Sequence, residues 1–313
     1  MAKKSFYGRG KLLLTGEYAV VNGAKALAIP TSQGQKLTVS TGRGSDIKWK
    51  SKTADGKVWF NAKISLFDFT AVKTTDAVIA DRLSSILESA VRLNSDFLST
   101  WKGIKVETQL EFPIDWGWGS SSSLIFCIAQ WADVDPYELY ARTFGGSGYD
   151  IACAGANEPL LFQKISDDLV DLRSVDMKPE IIHHLHFIYS GNKAQSSDAL
   201  AYISEHKMSS NLLDDISKLS QELSEAKNIG AWVDGIASHN ELLSSYLAKD
   251  DPSSTFPDFS GSIKYLGAWG GDFYLAASTE STDYVKQYFN NKGFPHVLSY
   301  DQVAVSRKTE AYS

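Results

Sequence analysis

The chain of 313 residues has little cysteine, no excess of positive charge and no long apolar run, and each shortage removes a class of protein. Its two cysteines, Cys127 and Cys153, sit in the small or apolar surroundings Ile125-Phe126-Cys127-Ile128 and Ile151-Ala152-Cys153-Ala154. Such places suit buried thiols, and the pair offers neither a disulfide framework nor a zinc spacing. The formal net charge of -6 and pI near 5.6 predict no general attraction to nucleic acid or to an anionic membrane. An anionic ligand must therefore be held by local donors. No apolar stretch approaches the roughly 20 residues that span a bilayer. The basic opening Met1-Ala2-Lys3-Lys4-Ser5 runs into Phe6-Tyr7-Gly8-Arg9 and not into an apolar segment, so no signal peptide is read. These absences predict a soluble cytoplasmic protein without nucleic-acid or membrane partners, a monomer or homodimer. Internal repeats and low-complexity tracts are also missing.

What is present is ordinary globular usage, 43% hydrophobic and 22% charged, enough for one large domain or two modest ones. Residues 12–21 read as two apolar runs broken by Thr15-Gly16-Glu17, with a turn at Asn22-Gly23 before 27–30. Short strands are predicted at 36–40, 47–50 and 58–63, with Gly56 at a hairpin. Ile79, Leu83, Ile86, Leu87, Ala90 and Val91 recur at helical spacing. Ile104, Val106, Thr108, Leu110 and Phe112 alternate with Lys105, Glu107, Gln109 and Glu111, which predicts a strand with one polar face. Beyond a boundary placed near 175, strands are expected at 185–189, 272–277 and 297–300, and helices at 199–227, 233–247 and 282–290.

Four segments carry candidate chemistry. Pro113-Ile114-Asp115-Trp116-Gly117-Trp118-Gly119-Ser120-Ser121-Ser122-Ser123 reads as the end of a strand, a glycine-serine loop and the start of a helix. Glycines let backbone approach a ligand, and free N–H groups at a helix start favour an anion. From the residues alone the loop is either a phosphate cradle or a turn with a serine cap. It has neither the G-x-x-x-x-G-K-[ST] nor the G-x-G-x-x-G spacing, which disfavours P-loop and dinucleotide folds. Gly145-Gly146-Ser147-Gly148-Tyr149-Asp150 places one acid after a glycine turn, either as a proton acceptor or as a helix cap. Lys264-Tyr265-Leu266-Gly267-Ala268-Trp269-Gly270-Gly271-Asp272 is a glycine loop leading into a strand. Lys11 and Glu17 flank the apolar strand of 10–18 and read by themselves as surface charges. His183, His184 and His186 have no partner spacing for a metal and read as ordinary strand histidines.

In this order the segments resemble the three motifs of the superfamily of galactokinases, homoserine kinases, mevalonate kinases and phosphomevalonate kinases, the GHMP kinases. Residues 10–23 resemble the first motif, 113–122 the second (P-x-x-x-G-L-G-S-S-A) and 264–272 the third (K-x-x-G-A-G-G-G). Gly-Glu-Tyr-Ala-Val-Val, Gly-Ser-Gly-Tyr-Asp-Ile-Ala and Gly-Gly-Asp are most similar to bacterial phosphomevalonate and mevalonate kinases. The resemblance implies an α+β chain of two domains, an N-terminal β-α domain with the phosphate loop over 1–175 and a ferredoxin-like C-terminal domain over 176–313. It implies an ATP-dependent kinase, with magnesium, acting on a small anionic metabolite such as mevalonate or phosphomevalonate. The alternatives are a sugar or amino-alcohol acceptor, or a nucleotide-binding protein without catalysis.

The same resemblance implies that Asp150 and Lys11 are catalytic, and that Gly117, Trp118, Gly119, Ser120, Ser121 and Ser122 hold the phosphates, with Ser121 also on magnesium. Glu17, Tyr18, Ser147, Lys193, Gly267, Ala268, Trp269 and Gly270 are the implied substrate residues. The chain departs from the pattern at Trp118 (usually leucine), Trp269 (usually glycine) and Ser122 (usually alanine), and Glu138 lies one position from the spacing of a magnesium-holding glutamate.

Overall fold

The computed structural model of the chain describes residues 3–100, 102–167, 169–191, 206–267 and 271–305. The chain divides into two compact units that interleave in sequence. The first contains Met1–Gly10, Gln33–Ile114 and Trp118–Gly155, and the second contains Lys11–Ser32, Asp115–Gly117 and Ala156–Ser313.

The first unit is a sheet with helices on one face. Strand β1 (Lys4–Leu13) pairs with β2 (Ala26–Thr41), and the order then runs outward from β2 through β6 (Ile104–Leu110), β3 (Asp46–Lys52) and β4 (Val58–Ser65) to β5 (Ala71–Thr74). The alternation seen in the sequence is the pleat of β6, where Ile104, Val106, Thr108 and Leu110 are buried and the residues between them are exposed or half-buried. Strand β3 carries Ile47 and Trp49 on the same buried side. Helix α1 (Ala77–Leu93) extends the predicted element by about a half-turn at each end. It starts where Asp76 accepts a hydrogen bond from the Ile79 N–H, and it buries Ala80, Leu83, Ile86, Leu87 and Ala90. Helices α2 (Ser120–Ala132), α3 (Pro136–Thr143) and α4 (Tyr149–Gly155) complete the layer, with Ile125, Ile128, Leu139 and Ile151 joining one core with the strands. The hairpin between β3 and β4 turns at Gly56, as the sequence predicts.

In the second unit β2 pairs through Ala26–Ala28 with β7 (Leu160–Lys164), which pairs with β8 (Val170–Ser174). A separate four-stranded antiparallel sheet has the order β10 (Ser262–Leu266), β11 (Phe273–Ala277), β9 (Leu185–Tyr189), β12 (Val297–Ser299). In chain order these four strands are second, third, first and fourth, the arrangement of a ferredoxin-like sheet. The short α5 (Pro179–Ile182) precedes β9, and α6 (Ser210–Glu225) and α7 (Ile229–Leu247) lie between β9 and β10. Helix α8 (Thr282–Asn291) lies between β11 and β12, and α9 (Tyr300–Val303) follows. One cluster joins Ile188, Phe256, Ile263, Tyr274, Val285, Phe289 and Val297. Another joins Tyr18 and Ala19 to Met208, Ile216, Leu243 and Leu247. Helix α7 begins earlier than its apolar spacing predicts, because Asn228 caps it through the Ala231 N–H. Among the described residues no helix is long and apolar enough to cross a membrane.

Candidate phosphate-binding and catalytic site

The glycine-serine loop ends at α2, and its last turn is unlike those of the other long helices. Helices α1, α3, α6, α7 and α8 each start with a side-chain cap, from Asp76, Asp135, Ser209, Asn228 and Ser281. Helix α2 starts at Gly119, in the left-handed region at φ 81°, with no side-chain cap. A residue with a Cβ is strained there, whereas glycine turns freely into the helix. Two serines that look like caps point elsewhere: Ser122 Oγ donates to the Gly119 carbonyl at 3.0 Å, and Ser123 Oγ donates to Gln35 Oε1 at 2.9 Å. The first N–H groups of a helix have no partner within it, so this end is a set of aligned donors with the positive end of the helix dipole behind them. Ser120 is half-buried and Ser121 exposed, while Trp118 is buried against Phe112 at 5.8 Å between ring centroids. Trp118 thus anchors the loop through its ring and can meet a ligand through its backbone only.

Asp115–Gly117, the preceding part of the loop, belongs to the second unit. There Asp115 Oδ2 accepts from the Tyr189 hydroxyl at 3.0 Å, and Trp116 meets the rings of Tyr189 and Phe273. Burial pushes the Tyr189 phenol up to about 12, helped by the Asp115 bond. A Cβ at Gly117 would overlap Oδ2 of Asp272, so that carboxylate lies directly against the loop backbone.

Asp150 is the second residue of α4 and not its cap. Its Oδ2 accepts from the Tyr140 hydroxyl at 3.1 Å and its Oδ1 from the Ile151 N–H at 3.2 Å. Ser147 is buried and its Oγ accepts from the Tyr149 N–H at 3.4 Å. Lys11 is half-buried on β1 and belongs to the second unit, whereas Asp150 belongs to the first.

Glu17 is not a surface charge. It is 3% exposed and bonded to Lys264 of β10, itself 1% exposed. His239, on the buried stripe of α7 with Trp232, Ile236, Leu243 and Leu247, accepts the Gly16 N–H on Nε2 at 3.1 Å. Burial, reinforced by the Lys264 charge, holds His239 well below its ordinary 6.5, so the ring is neutral and its proton sits on Nδ1. The 3.3 Å approach of Glu17 Oε2 to Nε2 is accordingly a close contact and not an ion pair. Burial raises Glu17 and lowers Lys264, and the attraction of each for the other opposes both shifts. The Thr15 hydroxyl donates to Ser220 Oγ at 2.7 Å and accepts from the Leu27 N–H at 2.9 Å. Tyr18, buried at φ 66°, seats its ring among apolar residues of α6 and α7. Residues 15–18 are therefore held from four elements of their own unit, β2, α6, α7 and β10.

No family model matches the chain, and no curated protein matches it in sequence. Solved structures match over nearly its whole length. The mevalonate kinase of Methanococcus jannaschii has a TM-score of 0.68 at 15% identity, covering 97% of this chain and 99% of that one. Streptococcus pneumoniae phosphomevalonate kinase, in complex with phosphomevalonate and AMPPNP, has a TM-score of 0.69 at 16% identity over 96% and 100%. Lactococcus lactis galactokinase, complexed with galactose, gives 0.62 at 13% over 97% and 94%. The chain has the GHMP-kinase fold.

Within the GHMP-kinase fold of this chain, Gly119, Ser120, Ser121 and Ser122 stand together at the α2 N-terminus, and Glu17 stands with Lys264 at the base of the third glycine segment. Gly267 takes φ 82° where β10 ends, while Lys193, Ala268, Trp269 and Gly270 lie outside the described residues. Glu138 is exposed on α3 and pairs with Arg142 at 2.8 Å. Among the described residues no group of three or more His, Cys, Asp or Glu side chains is placed to hold a metal ion. His184 Nδ1 meets the Ser278 carbonyl at 2.9 Å, and burial lowers His186 to about 4 beside Thr282. The sequence patterns do not single out Tyr140 or His239, and Asp272 enters only as the last residue of the third glycine segment. For His239 a signal existed, because a histidine filled a core position of an otherwise apolar helical stripe.

Proposed function

We propose that the chain transfers the γ-phosphoryl group of ATP to a hydroxyl or phosphate oxygen of a small anionic metabolite, with mevalonate or phosphomevalonate as the acceptor. The observation that carries this reading is the α2 N-terminus, which alone among the long described helices lacks a side-chain cap and starts at a left-handed glycine. The fold supports it, as does the nucleotide analogue and phosphomevalonate named for the pneumococcal neighbour.

In this reading the phosphates sit against the N–H groups of Gly119–Ser122, where fixed dipoles offset charge without reorganising. The acceptor oxygen attacks the γ-phosphorus, the bond from that phosphorus to the bridging oxygen breaks, and ADP leaves with the electron pair. Asp150 takes the proton of a hydroxyl acceptor, and Lys11 offsets charge on the transferred group. Magnesium, when bound with the nucleotide, would supply charge neutralisation at its phosphates. The exposed Ser121 hydroxyl would be the residue that helps hold that ion.

Release of ADP, measured with magnesium and ATP against mevalonate, phosphomevalonate, homoserine and galactose, tests the reading. Turnover with one of the first two is expected, and turnover with galactose alone would move the acceptor to a sugar. Asp150→Asn should lower kcat by roughly two to four orders of magnitude while melting temperature and ATP affinity hold. Wild-type turnover in that variant would remove Asp150 from the chemistry.

A further inference from the structure

We propose that Tyr140 is the positioning residue for Asp150, holding its carboxylate in one orientation and in the ionised state. This rests on the kinase reading of the same site. The first unit contains every group the argument needs. Asp150 has its Oδ1 bonded to the N–H of the next residue and its Oδ2 bonded to the Tyr140 hydroxyl at 3.1 Å. A carboxylate fixed at both oxygens from two helices is held against rotation about its terminal torsion, which otherwise has a broad energy well.

The phenol is itself held in place. Its ring stacks on Phe144, the residue that ends α3 one turn further on, with 7° between planes and 6.3 Å between centroids. The glycines before Asp150 make room for tyrosines. A Cβ at Gly146 would stand 3.1 Å from the Tyr140 hydroxyl oxygen, and one at Gly148 would stand 3.1 Å from the Tyr137 ring. The spacing Gly146-Ser147-Gly148 therefore accommodates the two rings of α3 that face α4. Burial first, then the charge of Asp150, push the Tyr140 phenol far above its ordinary 10.0. The hydroxyl consequently keeps its proton and donates throughout the range in which a carboxylate acts as a base. Hydrogen bonding to the charged form of a carboxylate favours that form. Removal of the donor thus has a signature that loss of packing lacks, a change in the pH at which the base is lost.

The test uses the full chain with the acceptor found in the ADP-release screen. Tyr140→Phe keeps the ring on Phe144 and deletes the donor. It is expected to lower kcat roughly ten- to a hundredfold, the scale of one hydrogen bond to a charged group. ATP affinity by calorimetry should stay within about twofold, since the donor does not touch the phosphate loop. The acidic limb of the kcat/KM profile should move up by about one pH unit. That limb does not depend on how much of the preparation is folded, so a less stable variant still gives a decision. A profile superimposable on the wild type, with Asp150→Asn inactive, overturns the positioning role and leaves the kinase reading standing. An active Asp150→Asn overturns the base assignment itself.

Discussion

The α2 N-terminus and the segment Thr15–Tyr18 are both glycine-containing turns with polar side chains, and they have opposite fates. At the first, donors face outward without a cap and the flanking serines bond back into their own helix and strand. At the second, polar groups are turned inward and most are matched, Thr15 with Ser220, Gly16 with His239 and Glu17 with Lys264, while Glu17 Oε2 and His239 Nδ1 are buried without a hydrogen-bond partner. The difference teaches that similarity of composition does not separate a ligand site from an internal brace. What separates them is whether the protein itself satisfies the polar groups. An unsatisfied set near the surface is available to a ligand, and an interior set satisfied at most of its groups fixes the backbone that carries it.

Four substitutions, one of them used only in combination, can break or sharpen this contrast. The largest effect is expected at the brace. Lys264→Met strands the Glu17 carboxylate in the interior, and loss of one partner from a buried pair costs about 3–5 kcal/mol. Equilibrium urea unfolding should record it, and Glu17→Met combined with Lys264→Met should recover most of the loss. A double variant as unstable as the single would mean that the pair does more than neutralise itself.

Next in size is the open end. Gly119→Val forces a branched residue into the left-handed region, a strain of about 1–3 kcal/mol that the α2 start must relieve by moving. ATP affinity should fall by about ten- to a hundredfold with a smaller change in unfolding midpoint. Unchanged calorimetric affinity in the folded variant would take the phosphates away from this loop.

The smallest effect concerns His239. Its folded pKa lies below the unfolded 6.5, so the unfolded chain binds the proton first and stability present above pH 6.5 is lost as pH falls below it. Glu17 acts in the other sense, because a carboxyl raised above 4.5 loses stability as pH rises, and lowered Lys264 adds stability as pH rises from its folded pKa toward 10.5. His239→Gln keeps an acceptor for the Gly16 N–H and removes the titration. The fall in urea midpoint below pH 6.5 should become shallower in the variant, and an unaltered slope would mean that His239 is not held neutral.

Period-two and helical spacings made β6 and α1 legible, because each pattern is set by one buried face and needs no distant information. The loop at Gly119 was legible as well, since glycines and serines before an apolar helix reflect local backbone demands. Glu17 was not, because its partner is 247 residues away and nothing local distinguishes a carboxylate that will be desolvated from one that will remain in water. Tyr140 stayed hidden for a different reason. Leu139 is the fully buried residue of α3, so the helix lacks an apolar stripe, and the tyrosine bond runs to a residue on another helix.

The separation of Glu17 from Lys264 also sets an order of events in time. Glu17 leaves the ribosome before Lys264, and at about 5–20 residues per second its partner follows some ten to fifty seconds later. Until then the carboxylate is a hydrated surface group, since burying it alone is prohibitive. The first unit needs nothing beyond Gly155 and can form its core in that interval, while Thr15–Tyr18 has its bond to Leu27 but lacks Ser220, His239 and Lys264 until α6, α7 and β10 supply them. Closure of the brace is therefore a late, long-range step that joins two segments 247 residues apart.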